Sequence, residues 1–433
     1  MSDNNKKHAS TPGKRFMRLA GMTASITGKV MSNSFKSMVG NAEEKAEARS
    51  QMYTEIGKQI ANTLGEMKGA VMKVGQIASQ YQDIFPPEIA EAMTKLQKEA
   101  PPMPYSVIEQ QIIHELGAKP AEKFAHFDEK PFAAASIGQV HRARLHTGED
   151  VIVKVQYPGV AECCESDLKH LRMALKLAGV IKLSKELQEQ LFEEIRMSLH
   201  SELDYLEEAA NLREFGEFHS GDDKVIIPKV FDEFTSKRVL TLSYEGGDGL
   251  QDAKHYPSHV RNELGQKLFQ VLCEQLYHLQ ALHCDSHPGN FAFRPDGTLV
   301  IYDFGCVKRL NPLLVGEFKR LVKAALHNDY ATVEAVLRDL GIRTHGGPEV
   351  PPEYYLEWID ILLDPIRDKS FDFARSKVHE QVLGKAKSLI QYWDSFQPSA
   401  ETMMINRAIG GHYWNMVHLG VHSNFGRPLL GYL

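Results

Sequence analysis

The sequence has little cysteine: Cys163, Cys164, Cys273, Cys284 and Cys306 are the only five in 433 residues. The count is odd and no C-x-x-C spacing occurs, so no disulfide framework is expected and a reducing compartment is. Long apolar runs are also missing. No stretch reaches 18 apolar residues, and the most apolar helical run, 171–183, is broken by Arg172, Lys176 and Lys182. A membrane-spanning helix is therefore not expected. The N-terminus lacks the apolar core of a secretory signal. No repeat of 20–50 residues and no long low-complexity tract is present.

What is there is ordinary in bulk. With 43% hydrophobic and 24% charged residues, the chain is not wholly disordered, collagenous or fibrous. Its length suggests two or three domains. Charge is unevenly spread. Residues 1–42 hold Lys6, Lys7, Lys14, Arg15, Arg18, Lys29 and Lys36 against Asp3, a net +6 that leaves −12 for the rest of a chain whose total is −6. An acidic body argues against nucleic acid as a partner. The basic tail carries Phe16, Leu19, Met22, Ile26 and Val30 at helical spacing. Three readings of it stay open: a helix lying on an anionic membrane surface, a helix packed on its own domain, and a transit peptide. The cytoplasm is the default location; peripheral membrane contact and organelle import are kept open.

Helical patterns fill 43–116, punctuated by Pro86-Pro87 and Pro101-Pro102. Short strand-like pieces follow at 139–145 and 150–156, joined by Thr147-Gly148 and closed by Pro158-Gly159. One long charged helix is expected from Ser184, as N-cap, to Phe218. Further strand-like runs at 225–231 and 238–243 lead to a glycine-rich stretch at 245–249, a natural boundary. A helix to about Leu282, a polar loop to Asn290, strand-like runs at 291–293 and 299–302, and a helical remainder beyond Pro312 complete the pattern.

Phosphoryl transfer needs charge neutralisation and positioning. A lysine must hold phosphates, an Asp must orient the attacking hydroxyl, and Asn and Asp oxygens must hold Mg²⁺. Lys154 is the single cation in the apolar run 151–155, resembling the V-A-I-K strand of kinases. His283, Asp285 and Asn290 have the H-x-D-x(4)-N spacing of a kinase catalytic loop, and Asp303-Phe304-Gly305 follows as a metal-binding DFG would. Three motifs in the kinase order are much harder to obtain by chance than one. The blander readings are an edge-strand lysine, Asx caps and a turn. His283, Cys284, His287 and Cys306 as zinc ligands fit no usual spacing. No G-x-G-x-x-G precedes Lys154. The equivalent place holds Ala133, Ala134, Ala135 and Ser136, which permit close backbone approach without glycine's freedom at positive φ, so a stiffer phosphate lid is expected.

These residues resemble the UbiB/AarF family of atypical kinase-like proteins, tied to coenzyme Q biosynthesis. Lys73-Val74-Gly75-Gln76 matches its KxGQ motif, 133–136 its alanine-rich loop, Glu202-Leu203-Asp204 with Glu208 its ExD motif, and 283–290 with 303–305 its catalytic loop and DFG. The resemblance implies an α+β, bilobal protein-kinase-like fold. Its parts would be a basic tail (1–42), a helical KxGQ extension (43–116), an N-lobe (117–245) and a mostly helical C-lobe (246–433). It implies an ATP-dependent phosphotransferase or ATPase, with ATP or ADP and Mg²⁺ as cofactors. Lys154 would contact phosphates, Glu208 pair with Lys154, Asp285 serve as the catalytic aspartate, and Asn290 and Asp303 bind Mg²⁺. Lys73, Gln76, Glu202 and Asp204 would lie over the nucleotide. Lipid or quinone-precursor ligands are implied partners.

The residues support part of this directly. Lys73 and Gln76 share a helix face, and Asp204 and Glu208, read as i,i+4 on one helix, repel by a few tenths of a kcal/mol unless a cation such as Lys154 or Lys73 faces them. Cys284 and Ser286 stand where the family has Ala and Pro. No Arg precedes Asp285 and no APE follows the DFG, which argues against peptide substrates. The C-terminal membrane helices of some relatives have no counterpart. Two rivals stand: a small-molecule phosphotransferase resembling aminoglycoside or choline kinases, and a non-catalytic, nucleotide-gated protein that binds a lipid or a biosynthetic complex.

Overall fold

The computed structural model describes residues 12–36, 42–67, 86–89, 91–92, 102–134, 137–179, 185–344, 346–367, 369–397 and 399–433. Lys73 and Gln76 of the KxGQ motif, Ala135, Ser136 and the expected N-cap Ser184 lie outside them. The chain divides into two compact units, Met1–Ala209 with Val230–Tyr244, and Ala210–Lys229 with Glu245–Leu433. The boundary after Tyr244 falls at the glycine-rich stretch, while 210–229 groups with the second unit. Among the described residues, no helix is long and apolar enough to cross a membrane.

The first unit is an antiparallel sheet with helices. β1 (His126–Phe127) and β2 (Ala133–Ala134) pair with successive stretches of β3 (Gly138–Arg144), which pairs with β4 (Asp150–Gln156), and β4 with β6 (Val239–Ser243). Strand alternation decides what each side chain meets. Val151, Val153 and Val155 of β4 are buried in the core, so Lys154 must emerge on the other face. Gly138 is required where it stands: a Cβ there would lie 2.3 Å from the Val155 carbonyl oxygen. This one glycine beside the alanine run therefore serves sheet pairing. The first two alanines form an exposed edge strand rather than a loop.

The basic tail resolves one open reading. Pro12–Lys36 is a helix whose Leu19, Met22 and Ile26 are fully buried in the core shared with the Ala42–Met67 and Val160–Ala178 helices. Ser25 donates to Gln59 (3.0 Å) and Lys29 pairs with Glu55 (3.4 Å). Leu19, Met22 and Ile26 of the apolar stripe are spent on the protein's own core, where burial removes their area from water as a membrane would.

The expected single helix over 184–218 is two, Lys185–Glu202 and Tyr205–Phe218. The chain turns at Leu203-Asp204, where Asp204 Oδ1 accepts from the backbone N–H of Leu206 (3.1 Å) and Glu207 (3.2 Å). An Asp that caps a new helix competes with continuing the old one.

In the second unit, β5 (Val225–Ile226) runs parallel to β9 (Leu299–Ile301), which pairs with β8 (Phe291–Phe293). β7 (Ala281–His283) pairs with β10 (Val307–Arg309), and β11 (Ser370–Asp372) with β12 (His422–Asn424). The helix expected to reach Leu282 stops earlier. Ser258–Glu274 passes into a π turn, Gln275–Leu279, and Gln280 takes a left-handed φ of 56° to start β7. The remainder beyond Pro312 is helical apart from β11 and β12. Gly247 has its own steric reason: a Cβ would come 2.8 Å from Ala292 Cβ, where Asp248 bridges Phe293.

Candidate functional site

In the first unit the site begins with one buried ion pair. Lys154 Nζ donates to Glu208 Oε1 at 2.7 Å, with the side chains 12% and 1% exposed. Lys154 is placed by strand alternation. Glu208 is placed by the Asp204 cap one turn earlier, at a helix N-terminus that favours acidic side chains. The ammonium also lies 5.3 Å from the ring centroid of the buried Tyr205. Gln156, two residues along β4, donates to the Leu203 carbonyl at 3.0 Å and to that of Glu202 at 3.4 Å. The Glu202-Leu203-Asp204 turn is thereby tied to the lysine strand. Asp204 turns its carboxylate onto backbone amides, and Lys154 supplies the cation expected to face Glu208. Ala133 and Ala134 sit exposed on β2, paired with Val140 and Gln139.

In the second unit backbone groups help to position Asn290 and Asp303. Asn290 Nδ2 donates to the Asp285 carbonyl (3.0 Å), and the Tyr302 N–H to the Asn290 carbonyl (2.9 Å). Asp303 Oδ1 accepts from the Gly305 N–H (3.0 Å). His283 Nε2 donates to the Asp303 carbonyl, and its own backbone N–H reaches Gln275 Oε1 (3.1 Å). Burial pushes the His283 pKa down, so the ring is neutral and serves as a brace between loop and DFG. Phe304 is buried against Phe215, 4.8 Å between centroids, and its carbonyl accepts from Asn211 Nδ2 (3.0 Å).

The Ala400–Leu419 helix supports this loop. Arg407 Nη2 lies 3.4 Å from Asp285 Oδ1, both nearly buried. Ser286 donates to the Ala408 carbonyl (3.2 Å), and its own carbonyl accepts from Asn415 Nδ2 (3.1 Å). A Cβ on Gly411 would collide with the Ser286 Cβ at 2.3 Å. The serine that stands in place of proline is thus bonded and packed. Sequence reasoning missed Arg407, Gln156, Tyr205 and Asn211. Arg407 is 122 residues from Asp285, and nothing local in the sequence marks it.

The donor set suits a hard cation. Asn290 gives its side-chain N–H to the Asp285 carbonyl, and its amide oxygen and the Asp303 carboxylate are donors of the kind such a cation takes. Mg²⁺ characteristically takes one or two such protein oxygens and completes its shell with phosphate and water. The zinc reading fails on the same grounds. Cys284 Sγ faces the Leu282 carbonyl, and burial raises the pKa of its thiol. His283 Nε2 is engaged, and His287 Nδ1 accepts from the Gly289 N–H (3.1 Å). Among the described residues no three His, Cys, Asp or Glu side chains cluster as a metal site.

A family model described as the ABC1 atypical kinase-like domain matches residues 95–337. The chain is 28% identical over 418 residues to "Atypical kinase COQ8B, mitochondrial" of Danio rerio, covering 94% of this chain and 66% of that protein. It is 27% identical over 421 residues to "Atypical kinase COQ8, mitochondrial" of Saccharomyces cerevisiae, covering 96% and 84%. An uncharacterised Synechocystis protein is 37% identical over 281 residues, covering 63% of this chain and 47% of the other. The chain thus spans about half to four fifths of these relatives. A solved Mycobacterium tuberculosis protein, in complex with erythromycin, superimposes with a TM-score of 0.64 at 26% identity, over 90% of this chain and 97% of the other. That likeness carries the kinase-like α+β fold. The chain belongs to the ABC1 (UbiB/AarF) family of atypical kinase-like proteins.

Proposed function

We propose that the chain binds an adenine nucleotide with Mg²⁺ and acts as an atypical kinase or ATPase supporting ubiquinone or related isoprenoid-lipid metabolism. The observation that carries the reading is the Lys154–Glu208 pair. Burying an ion pair seldom adds stability over an apolar pair of the same size, so its presence on a strand facing away from the core calls for a functional reason. In this reading Lys154 holds the α- and β-phosphates and Glu208 orients Lys154. Asp285 orients the attacking hydroxyl, and Asn290 and Asp303 supply oxygens to Mg²⁺. The bound metal would neutralise charge on the phosphates. The alanine segment 133–136 would cover the phosphates, and Lys73, Gln76, Glu202 and Asp204 would limit access to them. The pathway assignment rests on the family resemblance. The zebrafish and yeast relatives are named as mitochondrial proteins, so an organelle address stands beside the cytoplasmic one, and cell fractionation decides between them.

The test is ATP turnover by the purified chain and by Asp303→Asn. Turnover should fall at least ~100-fold, the usual effect of removing one electrostatic contact to the reacting group. Unchanged hydrolysis would remove Asp303 from the reaction. One observation favours a second reading, transfer to a small alcohol: the solved neighbour was captured with a small molecule, erythromycin. Phosphate transfer to a soluble alcohol without lipid stimulation would select it. Nucleotide binding with no hydrolysis under any lipid condition would select the non-catalytic rival.

A further inference from the structure

The second unit has a cavity of about 440 Å³ that none of the kinase-like roles uses. One wall is a single face of the Pro312–Leu326 helix and its C-terminal turn. Gly316, Lys319, Lys323 and His327 follow one another at steps of three, four and four residues, which align them on that face. Asp329, Thr332 and Leu433, the last residue of the sequence, also line the cavity.

The cavity's one acidic side chain, Asp329, and one of its cations, Arg320, are already committed. Asp329 caps the next helix, its Oδ1 accepting from the Thr332 N–H (3.1 Å) and its Oδ2 from Thr332 Oγ1 (2.6 Å). Arg320 is shared between Glu317 (3.1 Å) and Asp339 (3.2 Å). Lys319 and Lys323 have no ion-pair partner among the described residues; Lys319 Nζ instead lies 5.3 Å from the Tyr277 ring centroid. Two lysines at i,i+4 repel by a few tenths of a kcal/mol, a cost that an anion in the cavity removes. His327 Nδ1 donates to the Lys323 carbonyl (2.8 Å), which fixes the ring and leaves Nε2 as the unengaged nitrogen.

Gly316 is an independent observation. A glycine inside a helix costs ~1 kcal/mol relative to alanine. Here no packing demands it, since a Cβ would meet nothing within 4 Å. Its effect is to keep that wall of the cavity open. The negative end of the helix dipole accounts for Lys323 and His327 by itself. It accounts for neither Lys319, a turn further back, nor Gly316.

We propose that this cavity binds a phosphate-bearing anion, with Lys319 and Lys323 as its charge partners, His327 Nε2 as a further contact and Gly316 as the space-maker. The proposal is independent of the nucleotide reading above. A soluble phosphate compound and a phospholipid headgroup offer the same chemistry, and the experiment separates them. The full chain, in EDTA and without nucleotide, is titrated calorimetrically with pyrophosphate. In parallel it is co-sedimented with phosphatidylcholine vesicles containing one fifth phosphatidylglycerol. Lys319→Gln/Lys323→Gln removes the charges, Gly316→Leu fills the space with the charges kept, and Gly316→Ala controls for helix stability. The expected result is a binding component at least tenfold weaker in the first two variants and retained in Gly316→Ala, with ATP turnover unchanged in all three. Loss in the calorimetric arm alone identifies a soluble phosphate compound, and loss in the vesicle arm alone a headgroup. If both variants bind pyrophosphate and vesicles as the parent chain does, the proposal is overturned.

Discussion

The lysine strand and the catalytic loop differ in the contacts that position their charged groups. Lys154 is held by another charge, Glu208, in a setting where almost no water reaches the carboxylate. Asp303 accepts from the Gly305 N–H and Asn290 donates to the Asp285 carbonyl, backbone groups within a few residues of themselves, and Asp285 lies 3.4 Å from Arg407. A charge held by a charge cannot lose its partner cheaply, because the survivor stays buried. A charge held by neutral dipoles can be neutralised while the dipoles keep bonding. The first arrangement should thus be sensitive in stability, the second in chemistry.

The strongest way to break this contrast is Glu208→Gln, which leaves the Lys154 ammonium facing a neutral amide. It should cost ~3 kcal/mol by urea unfolding, and the double change Lys154→Met/Glu208→Leu should restore most of it. Asp303→Asn, measured the same way, should lie within ~1 kcal/mol of the parent, since an amide oxygen can still accept from Gly305. Equal losses in the two would erase the distinction.

Next is Gly138→Ala, which drives a methyl group into the Val155 carbonyl and forces β3 from β4. Overpacking of this kind costs ~2 kcal/mol, and the destabilisation should appear with β4 amides losing protection from hydrogen exchange first.

The loop's support offers a pH probe. His412 is buried against Phe291, with Nδ1 lacking a hydrogen-bond partner among the described residues. Burial first, and then its electrostatic interaction with His283, pushes its pKa down to about 3 from 6.5. Between those values the unfolded chain takes up a proton that the folded one refuses. Stability is therefore fully present above about pH 6.5 and drains away as the pH falls toward 3, by up to ~1.4 kcal/mol per pH unit. His412→Leu should flatten that acid flank in urea midpoints read across pH, and an unchanged slope would assign it to other groups. The smallest effect is expected from Asp204→Ala, ~1 kcal/mol for a lost N-cap, with a larger loss in turnover than in stability if the cap also aims Glu208.

How much was readable in advance differs along the chain. β4 was legible to the residue, because alternation of valines with Ile152 and Lys154 is a two-residue rule. The 184–218 segment was not. Its composition favours helix throughout, and only the Asp204 side chain bonding forward to Leu206 and Glu207 shows where one helix ends and another begins. The tail's stripe was legible as a helix face, yet its partner was not, since Leu19, Met22 and Ile26 would look the same against a membrane or against Val160–Ala178. Helix prediction ran past Glu274 for a related reason: the π turn and β7 follow from pairing with β10, which lies beyond the DFG.

By itself, the sequence determined the chemical inventory: a lone cation in an apolar strand, an Asp and an Asn five residues apart in one loop, and an Asp before Phe-Gly. Each is set by spacing within a single element, where the backbone fixes what neighbours can do. Only the tertiary structure decided who holds these groups: Tyr205 and Gln156 around the lysine and its partner, Arg407 at Asp285, and the helices covering the tail's apolar face. Those choices depend on which surfaces exclude water together, and burial of that kind leaves no periodic trace in the chain that provides it.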